Sequence, residues 1–293
     1  MTWFRIGDIE IARIVESEAP FLEPHKLFRE ATPEALAPHL SWLQPRALCS
    51  RTGRLILPIQ SYVMRTRRHL VLIDSCVGND KTVEWFPAWH KKADDVYLRG
   101  LRDHGIRPEE IDFVLCTHLH VDHSGWNTQM RDGRWVPTFP NARHLFAKPE
   151  FEYAERQARE GKDPTFDENV APVMDAGLGV IVDIDHRIDD EIWLDATPGH
   201  TPGHSAIHVK SRGAEGVVTG DLIHSPLQCL HPEWAFRFDD NPELARLTRR
   251  CFLERYADTA TAILATHFPS PSVGHVRSDA RAFHYEFWPD GAA

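Results

Sequence analysis

The chain has 293 residues, of which 42% are hydrophobic and 26% charged, enough apolar side chain for a sizeable core and too much for wholesale disorder. Acidic residues number 43 against 33 Lys and Arg, a formal net charge of −10 that repels phosphate backbones and excludes general nucleic-acid binding. No run approaches the ~18 apolar residues of a membrane span, so none is expected.

Residues 3–16 alternate apolar and polar side chains and predict a β-hairpin broken at Gly7-Asp8, not a signal peptide. Residues 17–50 mix prolines with aromatic and aliphatic side chains and predict short helices and loops laid over the domain. Strand signals follow at 55–59, 61–66 and 69–75, the last two joined by a turn containing Arg65, Arg67 and Arg68. Residues 79–92 predict a loop carrying Trp85, Phe86 and Trp89. A helix is expected over 93–104 with Gly105 as its C-cap, then a strand buried on both faces at 111–117. Further strands are predicted at 141–148, within 177–195, at 205–210, 216–224, 261–267 and 280–288, with helices from Pro149 to Glu160 and from Pro242 to about Tyr256. Strands precede helices in both halves, which predicts an α/β chain of two sheets sandwiched between helices in one domain spanning 1–293.

The five cysteines, Cys49, Cys76, Cys116, Cys229 and Cys251, lie in or beside apolar runs without a CxxC spacing. Buried free thiols in a reducing, cytoplasmic compartment are expected. Cys116 reads as core, not as a nucleophile. The unusual count is 18 His.

His118, His120, Asp122 and His123 form the pattern HxHxDH directly after the 111–117 strand. In extended chain, residues two apart project to the same side, so His118 and His120 point together while Leu119 and Val121 turn back to the core. Imidazole with carboxylate suits zinc and similar divalent ions. Three further strand ends carry the same residue types: His200 and His204 in TPGHTPGHS, Asp221 in TGDLIH, and His267 in ATHFPSPSVGH. Loops at strand ends are where α/β proteins build sites.

HLHVDH, PGHTPGH, the GD pair and the late His, in this order, resemble the motif set of the metallo-β-lactamase-fold hydrolases; VLIDS at 71–75 resembles the family's structural aspartate strand. TPGHTPGHS is similar to the N-acyl-homoserine lactonases, and ATHFPSPSVGHVR to methyl parathion hydrolase and its lactonase-like relatives. The resemblance implies a four-layer αβ/βα sandwich with two divalent ions, Zn2+ by expectation. It implies that His118, His120 and His200 hold one ion, Asp122, His123 and His267 the other, and that Asp221 bridges them. Asp74 would orient a ligand from behind, and His204 would be a hydrogen-bonding neighbour. An ion-bridging hydroxide would attack the acyl carbon, with Asp122 and Asp221 as catalytic residues. The lactonases place a tyrosine three residues after the bridging aspartate; this chain has His224, expected on the substrate side.

The expected activity is cleavage of a lactone or lipophilic neutral carboxylic ester, as in quorum quenching. Phosphotriester hydrolysis of the methyl parathion hydrolase kind comes next, then a glyoxalase II-like thioesterase. A non-enzymatic metal-stabilised module is the remaining alternative. The covering segments 17–50 and 79–92 would close the cleft, with Trp126, Trp85, Phe86 and Trp89 lining it. A homodimer is expected from the family.

Overall fold

The computed structural model describes residues 3–280, 282–289 and 291, so the ends of the expected 1–293 domain, and Arg281 within the predicted 280–288 strand, lie outside the described residues. In chain order the strands are β1 (Trp3–Ile6), β2 (Ile9–Pro20), β3 (Ile56–Arg65), β4 (Leu70–Ile73), β5 (Phe113–Leu115), β6 (Thr128–Arg131), β7 (Arg134–Pro137), β8 (Arg143–Ala147) and β9 (Gly179–Val182). They continue with β10 (Ile192–Ala196), β11 (Ser205–Ser211), β12 (Ala214–Val218), β13 (Ala262–Leu264), β14 (Val273–Asp279) and β15 (Ala282–Phe287). One sheet has the order β1-β2-β3-β4-β5-β8-β9, the other β10-β11-β12-β13-β14-β15, and β6-β7 is a separate hairpin.

Side-chain alternation builds four layers. Along β4, Val71 and Ile73 meet Ile207, Val209 and Val218 of the other sheet in a shared core. Leu72 faces the opposite way, with Val114, Tyr97 and Leu101. A strand buried on both faces therefore reads as the unbroken apolar run LVLI. The second sheet repeats the arrangement: Val218 and Leu264 point inward, while Val217 and Ile263 pack outward on Phe252 and Leu253. Each fully buried side chain of this size contributes about 2 kcal/mol. Sheet stacked on sheet with helices outside is the αβ/βα sandwich expected above.

Three longer helices supply the outer layers: α1 (Val96–Asp103), α2 (Lys148–Arg159) and α3 (Pro242–Tyr256). Tyr97 and Leu101 form the buried stripe of α1, and Gly105 follows it at φ +71°, as a C-cap glycine should. At α3, Pro242 takes the first turn and the Asn241 side chain accepts from the Leu244 N–H at 3.1 Å. No helix among the described residues is long and apolar enough to cross a membrane.

Several expectations need correction. Residues 55–59 and 61–66 are one strand, β3. The β2 strand runs on to Pro20, because it pairs with β3 as far as Ile56, so the covering segment begins at Phe21. The strand over 216–224 ends at Val218, where Gly220–Leu222 winds into a 3-10 turn. Cys251 is exposed and Cys49 half-buried, against three buried thiols, because Cys251 falls on the solvent face of α3.

His144 on β8 is fully buried between Phe139 and Phe146, and neither ring nitrogen makes a well-formed hydrogen bond. Burial pushes it down to about 4. The unfolded imidazole protonates near pH ~6.5, so stability is full above that pH and falls as the pH drops toward 4. At pH 5 the loss from this group is about 2 kcal/mol. The difference in denaturant stability between pH 7 and pH 5 is expected to shrink by that amount in His144→Leu; an unchanged difference would refute it.

Candidate metal centre

The four parallel-paired strands β4, β5, β12 and β13 bring their C-terminal ends to one edge of the sandwich, β4 beside β5 and β12 beside β13. Asp74 follows β4. His118 and His120 follow β5, and Asp122 and His123 sit in the single helical turn Val121–Ser124. Asp221 follows β12 and His267 follows β13, while His200 comes from the loop after β10. All seven residues of the expected set meet here.

They meet as two groups, His118, His120, His200 with Asp221, and Asp122, His123 with His267. The two oxygens of Asp221 divide between them. Oδ2 lies 3.1 Å from His200 Nε2 and 3.7 Å from His118 Nε2. Oδ1 lies 2.9 Å from His123 Nε2 and 2.8 Å from His267 Nε2. Asp122 Oδ2 stands 3.7 Å from both His123 and His267 Nε2.

The hydrogen bonds behind the imidazoles fix which nitrogen is free. His123 Nδ1 donates to Asp74 at 2.9 Å, His267 Nδ1 to the Pro58 carbonyl at 2.9 Å, and His200 Nδ1 to Asp239 at 3.0 Å. Thr117 gives its hydroxyl proton to Asp74, so His118 Nδ1 donates to Thr117 Oγ1 at 3.2 Å. In the neutral rings of His118, His123, His200 and His267 the Nε2 atoms are therefore lone pairs; those of His123 and His267 lie 3.2 Å apart, and those of His118 and His200 each lie 3.0 Å from His120 Nδ1. The His123 and His267 lone pairs and the Asp221 Oδ1 that lies 2.9 and 2.8 Å from them repel unless a cation sits among them. Asp221 Oδ1 is buried without a hydrogen-bond partner. The donor set of imidazoles and carboxylates, backed by oriented hydrogen bonds, fits divalent ions of the zinc type.

The electrostatics agree. Burial pushes His118 down, and His120 to about 3. Burial also lowers His200, but the Asp221 and Asp239 carboxylates overcome it and hold it near 9; Asp221 likewise lifts His123 and His267 against their burial. Those imidazoles hold the Asp221 carboxyl well below the usual range despite its burial. The cluster thus demands positive charge around one carboxylate.

His204 is a neighbour of this cluster. Burial lowers it to about 3, its Nδ1 faces the Thr197 carbonyl, and its Nε2 accepts the Asp221 N–H at 2.9 Å. Gly220, at φ +52°, makes that bond possible, since a Cβ there would lie 2.6 Å from His204 Nε2. Two further carboxylates were not legible in the sequence. Asp239 orients His200 and is itself held by the buried Arg249 guanidinium at 3.4 Å. Glu150, at the start of α2, accepts from the Leu119 N–H, the Thr201 hydroxyl and the Gly203 N–H, tying the two histidine loops together. A Cβ at Gly203 would lie 2.2 Å from the Glu150 nitrogen.

Over the cluster opens a cavity of about 250 Å³ with walls of Phe21, Leu57, Trp85, Trp89, Phe236 and Phe238. Trp85 and Trp89 are among its lining residues. Phe86 is not: it packs behind, 4.7 Å from Phe21 and 4.9 Å from Trp89. Trp126 is also not a pocket residue. The turn after His123 directs its indole into the core, 2% exposed, stacked on Tyr97 at 5.5 Å and donating to Glu16 at 2.7 Å. His224 lines the cavity, with Nε2 3.1 Å from Asp221 Oδ2 and its ring stacked on Phe236 at 3.4 Å. Gln228 accepts from the His224 backbone N–H at 2.8 Å and holds the other side of the residue.

A two-sheet sandwich with paired histidine groups sharing a carboxylate at its strand ends defines a metal-site α/β protein. Residues 55–267 match the Metallo-beta-lactamase superfamily, and the chain belongs to that family. It is 25% identical to the N-acyl homoserine lactonase of Bacillus cereus over 165 residues, 53% of this chain and 59% of that relative. The match thus spans less than two thirds of the relative's length. Among solved structures, the hydrolase AbOPH of the beta lactamase superfamily is 25% identical with a TM-score of 0.82, covering 98% of this chain and 97% of that one. AidC, a dizinc quorum-quenching lactonase in complex with its product N-hexanoyl-L-homoserine, is 19% identical with a TM-score of 0.78, at 98% and 97% coverage. The fold and the His/Asp cluster together support a dinuclear divalent metal site.

Proposed function

We propose that the protein is a dinuclear metal-dependent hydrolase of lactones or lipophilic carboxylic esters, with zinc as the resident ion. The observation that carries this is the division of the Asp221 oxygens between two imidazole groups on the floor of an apolar cavity. The likeness to acyl-homoserine lactonases supports the substrate class. His118, His120 and His200 would hold one ion, Asp122, His123 and His267 the other, with Asp221 placed to serve both. Bound there, the ions supply Lewis acidity for water activation and for polarising the acyl oxygen. The chain's own residues do the rest. Asp74, Thr117 and Asp239 fix the ring tautomers. Asp122 and Asp221 are the carboxylates on the cavity floor, and one of them would take the single proton that the attacking water gives up. The aromatic walls exclude bulk water and hold the apolar half of the substrate.

His224 is the substrate-side residue, its ring position fixed by Phe236 and Gln228. His224→Ala is expected to lower turnover on the order of 10- to 100-fold with both ions retained, as for loss of one positioned hydrogen-bonding group. His224→Tyr should preserve lactone hydrolysis better than His224→Ala. Unaltered turnover in the alanine variant would make His224 a bystander.

The test of the function is a screen of metal-loaded protein against acyl-homoserine lactones, simple lactones, aryl esters, phosphotriesters and glutathione thioesters. Highest kcat/KM on a lactone or ester supports the reading; a clear preference for phosphotriesters or thioesters replaces it. The same proposal includes a two-fold homodimer in a reducing, cytoplasmic setting. Light scattering at micromolar concentration should report twice the chain mass, and a monomer would refute the assembly.

A further inference from the structure

A second cavity, of about 190 Å³, adjoins the aromatic chamber. The two have His120 and Asp163 in common, so the space divides at the metal cluster. The linings differ in kind. Apart from its histidines and aspartates the first is aromatic and aliphatic; the second sets the polar Tyr153, Gln157, Lys162 and Thr165 among Leu119, Ala154 and Phe166.

Most polar groups of the side cavity are already engaged. Both Glu150 oxygens accept from the histidine loops. The Tyr153 hydroxyl donates to Asp240 at 3.0 Å, and Lys162 pairs with Glu160 at 2.6 Å. Asp163 differs. Its Oδ1 accepts from the Thr165 N–H at 2.8 Å, one bond for a carboxylate with room for about four. It is half-buried, lines both cavities, and its charge bears on the His120 ring. An ionised carboxylate only accepts hydrogen bonds, and it repels another anion.

We propose that the cleft is bipartite and that Asp163 is a specificity-determining residue. The acyl half of the substrate lies in the aromatic chamber, and the alcohol half, bearing hydroxyl or N–H donors, lies in the side cavity against Asp163. This rests on the ester or lactone reading above. Hydrolysis adds water across the acyl C–O bond, giving a carboxylate and a free hydroxyl. The hydroxyl is a further donor for Asp163, whereas the carboxylate is repelled by it, which favours release of the acid.

The test uses metal-loaded protein and three esters of hexanoic acid, with glycerol, benzyl alcohol and glycolate as the alcohol. The glyceryl ester is expected to exceed the glycolate ester in kcat/KM at least about tenfold, the usual weight of one hydrogen bond to a charged group. Asp163→Asn keeps the acceptor for the Thr165 N–H and removes the charge. It should cut that ratio about tenfold, with the change in KM, and Asp163→Lys should turn the preference toward glycolate. Esters turned over with no regard to the alcohol, or a ratio unmoved by either substitution, overturn the bipartite cleft and leave the hydrolase reading intact. No hydrolysis of any ester or lactone overturns both.

Discussion

Asp221→Ala is expected to abolish turnover, by on the order of a thousandfold or more, and to weaken retention of both ions at once. The carboxylate stands between His118, His120 and His200 on one side and His123 and His267 on the other, so its loss removes a donor from each group and the charge on which both depend. Losing several kcal/mol of charge stabilisation accounts for that size of effect. Elemental analysis after dialysis checks it beside the rate. Wild-type protein should carry about two ions per chain and release them in acid, since the imidazoles must be neutral to bind. A variant that keeps both ions would overturn the shared carboxylate.

Arg249→Met should be the most damaging single change outside the cluster. The guanidinium is fully buried and donates to the carbonyls of Leu222, Pro232 and Trp234, besides facing Asp239. Methionine fills the space but leaves three carbonyls without this donor and Asp239 without its cation. Breaking a buried pair in this way costs about 3–5 kcal/mol. Urea unfolding of the metal-loaded protein reads the cost, and a value below about 1 kcal/mol would show the 222–239 segment to be held otherwise. Since Asp239 orients His200, a loss of roughly 10- to 100-fold in affinity for one ion should accompany it.

The parts of the fold legible in the sequence were those with strong local pattern. LVLI and the run before His118 are apolar because they are buried on both faces, and α3 announces itself with Asn241-Pro242. The strand β14 was not legible: VGHVRSD carries a glycine, and its outer end lies toward solvent, so no clean alternation survives. The hairpin β6-β7, half-exposed and rich in Arg, was hidden for the same reason. The ligand-type residues could be read because they follow strands at short, regular spacing. Glu150 and Asp239 could not, because their partners lie 31 to 53 and 39 residues away in the chain. Trp126 misled because adjacency to a histidine loop says nothing about which way a turn directs the next ring.

Each of the two donor groups draws on both halves of the sandwich: His118, His120, Asp122 and His123 hang from the first sheet, and His200, Asp221 and His267 from the second. Ion capture would therefore act as a proofreading step on folding, since a chain with only one half formed, or with the halves misdocked, lacks a full set of donors. Once filled, the centre works as a non-covalent staple between residues such as His123 and His267, 144 positions apart, closing a long loop that the unfolded chain would otherwise leave free. Ion supply during synthesis should then govern how much native protein accumulates, quite apart from how fast each molecule turns over.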